Sequence, residues 1–407
     1  MGVDIIYGRF QIETSRILYL FIKEYFIWDV CIIRWRRVIC MRQRFPKWDN
    51  LKCVLIVMVV LGHCIETFTD DSYMFKRMWL MIYGIHMPLF IFVTGLFAKG
   101  AIDNREKLKN KVYAFIKMYF IYKVLLMLVK LIMTGKGQFS LLKESSIPWY
   151  LLAMVIYLIV TYMARNIKPG YLLALSVILA CVIGYDRDVR DFLVLARAIN
   201  FYPFFLMGYY AKTDMKIFES NAIKKILSAL VLGVYGYIIW INVTKAYEFR
   251  PLLTGRNTYF SLEFPEYGIL YRLAHYLIAI AVGLSIIYLI PNKVNSFTFI
   301  GKKTLYIYVL HGVFINILRG INWEEHLMDN LPPVIWKAVV LLSVIVLVGL
   351  CCLPIFEKAF AFVMNRRYVK DNKDNYEVDY SVFSMPPREV YREKQHPSEE
   401  ILKGSKE

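Results

Sequence analysis

The sequence lacks the cysteine patterns that would staple it or hold a metal. Seven cysteines are present (Cys31, Cys40, Cys53, Cys64, Cys181, Cys351 and Cys352), and five of them lie inside apolar runs. Their spacing fits neither a metal-ligand set nor a secreted disulfide framework, so they read as small apolar helix residues. No metal site and no bound cofactor are expected. The N-terminus does not read as a clean signal peptide, because residues 1–40 mix apolar and charged positions without a small-residue cleavage motif. No internal repeat of the type that marks many transporters is visible. Acidic residues are few, 32 against 50 lysines and arginines, for a net charge of +18. In a soluble protein that surplus would point to nucleic acid. Here the basic residues sit mainly between apolar runs, which argues for membrane topology and anionic lipid instead.

Long apolar segments are what the chain has in abundance. Of its 407 residues 58% are hydrophobic, and mean hydropathy is +0.46. Soluble proteins average roughly 45–50% apolar residues. A bilayer core needs about 20 mostly apolar residues per helix. Ten candidate spans follow, over about 50–68, 79–98, 112–133, 148–164, 171–184, 198–211, 226–243, 271–290, 304–318 and 334–357. The expectation is an all-α, polytopic membrane bundle of about ten transmembrane helices. The fifth, sixth and ninth runs are short and would tilt, thin the bilayer or be covered by neighbours.

The distribution of lysine and arginine predicts orientation. Basic clusters precede the first span (Arg34, Arg36, Arg37, Arg42, Arg44, Lys47), follow the second (Lys99, Arg105, Lys107, Lys109, Lys111) and flank later even-numbered loops. By the positive-inside rule both termini lie in the cytoplasm of a plasma (inner) membrane protein. The 244–270 loop is then the longest external one. Residues 46–365 form the membrane domain. Residues 1–45 are an N-terminal extension, read either as an amphipathic surface helix or as sequence upstream of a true start at Met41. Residues 366–407 read as a polar, disordered tail.

Ionisable groups inside spans are costly and usually functional. The first span carries Asp49 and Lys52 at one end and His63 with Glu66 at the other. Eleven steps of about 100° return Lys52 and His63 to one helix face, about 16 Å apart along the axis. Glu66, three residues on, can orient the His63 ring. A histidine backed by a carboxylate suits removal of a hydroxyl proton during acyl transfer. A purely structural reading has the histidine bonded between helices with no chemistry. His86, beside Pro88, lies at a depth like that of His63 and either shares its site or satisfies a carbonyl freed by the proline. His311 lies near mid-membrane. Trp149 either belongs to an interfacial aromatic belt, with Tyr150 and Tyr202, or stacks on a sugar. Arg197 and Arg272 either snorkel or bind donor or acceptor.

Trp48–Glu66, Ile85–Lys99, Ala196–Tyr210, Gly301–His311 and the PWYLLA stretch from Pro148 together resemble the acyltransferase-3 family of membrane O-acyltransferases, in particular its fucose 4-O-acetylase-like branch. The resemblance spans residues 46–357. The family's basic residue, ten-residue gap and histidine fall on Lys52 and His63, which implies a catalytic His63. Many members carry arginine at the Lys52 position, and lysine lacks its bidentate geometry. The resemblance also implies acyl-CoA, in the first place acetyl-CoA, as donor. The implied acceptor is an envelope carbohydrate or lipid-linked glycan. Glu66 would assist His63, while Lys52, Asp49, His86, Trp149, Arg197, Arg272 and His311 would contact substrate. No fused periplasmic hydrolase-like domain is expected in these 407 residues. Two other readings compete: a secondary transporter or flippase for a lipid-linked sugar, and a non-catalytic scaffold.

Overall fold

The computed structural model describes residues 46–363 except 136, 138, 141, 142, 145 and 190, and also 368–371 and 375–378. The expected extension over 1–45 lies outside these residues, as does most of the tail. Within the tail, Tyr368–Asp371 and Asn375–Val378 form an antiparallel two-stranded ribbon that pairs Tyr368 with Val378.

Each of the ten apolar runs is helical. The helices are α1 (Pro46–Ile65), α2 (Tyr73–Tyr83), α3 (His86–Leu96), α4 (Arg105–Thr134), α5 (Trp149–Met163), α6 (Pro169–Val182), α7 (Leu195–Tyr210), α8 (Ala222–Ile241), α9 (Gly268–Leu289), α10 (Thr304–Gly320) and α11 (Pro333–Cys351). Six stretches are long and apolar enough to cross a membrane: Pro46–Phe68, Tyr73–Leu96, Arg105–Thr134, Ala222–Ile241, Pro265–Leu289 and Pro333–Cys351. A seventh results if α10 and the helix Trp323–Asn330, bent by 59°, count as one. With the shorter apolar helices among them, these make a multi-pass membrane bundle.

Start and stop chemistry explains the helix limits. Asn104 caps α4 by accepting from the backbone N–H groups of Glu106 and Lys107 at 3.0 Å. Gly135, at φ +67°, ends it with a left-handed turn whose N–H donates to Leu131 O. The last run, expected to extend to 357, stops at Cys351, and a separate helix begins at Pro354 because proline cannot continue the ladder.

The second run is two helices. The missing N–H of Pro88 leaves the Gly84 carbonyl without its helical partner. His275 of α9 donates to that oxygen from Nε2 at 3.0 Å, and His86 donates from Nδ1 to Ile82 O at 2.8 Å. Tyr235 of α8 donates to Leu80 O at 3.2 Å. Side chains from two other helices thus satisfy the break, as backbone buried away from water requires.

The α3–α7 crossing brings two backbones into contact. A Cβ on Gly95 would overlap the Phe205 carbonyl, and one on Gly208 would overlap the Phe92 carbonyl. Glycine at both places lets the two backbones touch, which is how membrane helices associate where lipid is as apolar as leucine. At the other extreme, α8 exposes Ile223, Ile226, Leu227, Leu230 and Val234 as a lipid-facing stripe.

The start of α1 is clamped. Asn50 donates to Pro291 O and Lys293 O, both at 2.9 Å, and accepts from Thr298 at 2.6 Å. Trp48 is buried between Phe97 and Phe218. The helix that carries Lys52 and His63 therefore has a fixed register.

Candidate active site

His63 lies at the end of α1, one turn before Glu66. Its Nδ1 is 3.4 Å from Glu66 Oε2 and 3.2 Å from the Tyr83 hydroxyl. A carboxylate only accepts, so the Glu66 contact requires the proton on Nδ1. That tautomer leaves Nε2 with its lone pair, which is the form a general base needs.

Glu66 is flanked by two guanidiniums. Arg319, the last-turn cation of α10, reaches Oε2 at 3.2 Å, and Arg250 reaches Oε1 at 3.6 Å. Arg250 belongs to the 244–270 loop, which folds over this end as the short helices Val243–Glu248 and Arg250–Leu253. It is steadied by donating to the Tyr247 hydroxyl at 2.9 Å and by resting 5.3 Å from the Trp79 ring. Neither arginine nor Tyr83 was picked out from sequence.

His311 of α10 faces the same site. It is fully buried, and its ring centre is 5.6 Å from that of His63. Its Nδ1–H donates to Ile307 O at 2.8 Å, so Nε2 is an acceptor. That buried Nε2 has no partner among the described residues. His86 joins through Tyr83, whose ring is 4.9 Å from its own. His86 satisfies the Ile82 carbonyl rather than that of Gly84, the one Pro88 frees, and its ring lies beside Tyr83.

Aromatic contacts lead away from His311. Tyr308 is 5.9 Å from it, Tyr150 is 5.4 Å from Tyr308, and Trp149 is 6.3 Å from Tyr150. Arg197 lies over Trp149 at 5.1 Å and donates to Ser146 O at 3.5 Å. Tyr150, expected in an interfacial belt, is buried, with its hydroxyl 2.6 Å from Thr94 Oγ1. Tyr202, expected in the same belt, meets Thr161 Oγ1 through its hydroxyl at 3.0 Å and stacks on Tyr157. Inter-helix hydrogen bonding inside the bundle overrides the usual surface preference of tyrosine. Arg272 does not snorkel either. It is fully buried and donates to Leu252 O at 3.1 Å, apart from the contacts around His63.

At the other end of α1, Lys52 pairs with Asp49 at 2.8 Å. Asp49 is buried, so its carboxylate is reached only through that pair. Lys52 lines a cavity with Lys111, Lys302 and Lys303. Lys303 is paired with Glu357 at 2.7 Å. Four lysines against Asp49 and Glu357 leave this mouth cationic. Deeper in, the cavity is walled by Val59, Met87, Phe90, Tyr150 and Tyr308. Val59 is one helical turn before His63, and Tyr308 touches His311, so the cavity runs from the lysines toward the histidines.

A family profile described as an acyltransferase domain matches residues 45–353. The nodulation protein NolL of Sinorhizobium fredii (strain NBRC 101917 / NGR234) is 25% identical over 224 residues, 49% of this chain. The chain spans 59% of that relative's length. No solved structure matches. With residues 45–353 covered by that family profile, and with the apolar helices described above, the chain belongs to the acyltransferase-3 family of multi-pass membrane O-acyltransferases.

Proposed function

We propose that the protein transfers an acetyl group from cytoplasmic acetyl-CoA to a hydroxyl of an extracytoplasmic or lipid-linked carbohydrate, as in the fucose 4-O-acetylase-like branch. One observation carries this reading: the Pro46–Phe68 stretch has Lys52 on a cationic cavity at one end and the His63–Glu66 pair at the other. The CoA phosphates would bind among Lys52, Lys111, Lys302 and Lys303, where cations favour them. The acyl arm would lie along the apolar wall and bring the thioester to the histidines.

The acceptor hydroxyl gives its proton to His63 Nε2 as its oxygen bonds to the thioester carbon. The tetrahedral intermediate collapses by breaking the carbon–sulfur bond. The imidazolium then returns the proton to the leaving thiolate. Product is the O-acetyl ester and free CoA. Glu66 holds the ring in the Nδ1–H tautomer and stabilises the imidazolium. His311 and His86 border the acceptor, and Trp149 with Arg197 forms a second wall beyond Tyr308.

Orientation follows the same reading. The lysine end of α1 faces the cytoplasm, both termini are cytoplasmic, and His63 opens toward the outer leaflet. The test is ester-linked acetyl on envelope glycans in cells with wild type, a deletion or His63→Ala, with membrane insertion checked. Loss in both mutants supports the reading. Loss in the deletion alone moves the base elsewhere. No loss in either, with a lipid-linked sugar accumulating on one side, favours transport.

A further inference from the structure

The charges around Glu66 do not balance. Arg250 and Arg319 each contact one oxygen of a single carboxylate. No other acidic side chain pairs with either arginine among the described residues. Each guanidinium has five N–H donors, and only a few are engaged here. The side chains of Arg250 and Arg319 remain 39% and 36% exposed, so both stay accessible from outside the site. Arg250 is held there by Tyr247 and Trp79. A cation fixed in this way is suited to receive a ligand.

Transfer does not relieve the imbalance. When His63 takes the hydroxyl proton, its imidazolium is matched by the oxyanion of the tetrahedral intermediate, so the surplus charge of the two guanidiniums over Glu66 persists. A single negative charge on the acceptor would offset that surplus. Planar guanidiniums match carboxylate and phosphate oxygens in geometry as well as charge.

Resting on the proposed acyl transfer, we infer that Arg250 and Arg319 form an anion subsite and that the acceptor is an acidic glycan, bearing a carboxylate or phosphate near the acylated hydroxyl. The two sources share the same recognition and are separated by the choice of probe.

The test is equilibrium dialysis of the full chain in detergent micelles against three labelled probes: methyl glucuronoside, glucose 1-phosphate and methyl glucoside. At least one charged probe is expected to bind about tenfold more tightly than methyl glucoside, with the preference weakened by salt. The tighter of the two charged probes identifies the source of the anion. Arg250→Gln and Arg319→Gln should each collapse the preference, and Arg250→Lys should keep part of it if Gln at this position impairs folding. Equal binding of charged and neutral probes by wild type overturns the inference, as does no binding of either charged probe. The same samples incubated with acetyl-CoA test the underlying reading separately. Charged-probe binding without acetylation of any probe would retain the anion subsite and reject acetyl transfer.

Discussion

His275 donates from Nε2 to the carbonyl oxygen of Gly84 at 3.0 Å, across 191 positions of sequence. This bond replaces the one Pro88 cannot make. His275→Ala would leave a buried carbonyl unsatisfied, at a cost of about 1–3 kcal/mol. A lowered unfolding temperature in detergent is the expected outcome. Pro88→Ala restores an N–H, so the double variant should lose less than the sum of the single losses.

His63 and Glu66 should separate in kinetics. His63→Ala is expected to lower kcat by about a hundredfold or more, the usual range for losing a general base. Glu66→Gln keeps the shape but removes the charge that fixes the tautomer and neutralises the arginines. It should lower kcat by about tenfold with little change in KM for acyl-CoA. Steady-state acetyl transfer in purified protein checks both.

Lys52 should act on the donor. Lys52→Ala is expected to raise KM for acetyl-CoA by about tenfold while changing kcat less, and added salt should mimic it. Lys52→Arg keeps the charge and should retain most of the affinity. An effect confined to kcat would place Lys52 outside donor binding.

The α3–α7 crossing makes a clean packing test. Gly208→Leu puts a side chain into the Phe92 carbonyl and should abolish monodisperse protein on size exclusion. Gly233→Leu is the control, because a Cβ there would meet nothing within 4 Å.

Much of the fold was legible because lipid forces long apolar runs, and each run is a helix. What was not legible depends on breaks and distant contacts. The interruption at Gly84–Ile85 hid inside an unbroken apolar run. Only Pro88 signalled it, and that signal was read as freeing a carbonyl within one helix. In the site, His63 and Glu66 are three residues apart on one helix, so periodicity alone pairs them. Arg319 meets Glu66 from 253 positions away. It stood just beyond the end of the ninth run, where a cation reads as a boundary residue. Arg250 lay in a loop with no periodic pattern. Lys111, Lys302 and Lys303 were visible only as topology charges, and their convergence on Lys52 needs the packed bundle. The interfacial reading of Tyr150 failed because composition cannot tell a lipid-facing ring from one hydrogen-bonded between helices.

The clamped helix α1 also acts as a ruler. Its base is pinned by Asn50 and Trp48, so the height of His63 above Lys52 is set by covalent geometry, and loop movements cannot change it. A donor gripped by its phosphates can present its thioester at one depth only. Inserting one residue between Lys52 and His63 would swing the imidazole by about 100°, whereas inserting a whole turn would nearly restore its direction but raise it by about 5.4 Å. On the proposed donor binding, the spacing would select donors by the length of the arm between phosphate and acyl group, and the walls around the site would choose the acyl group.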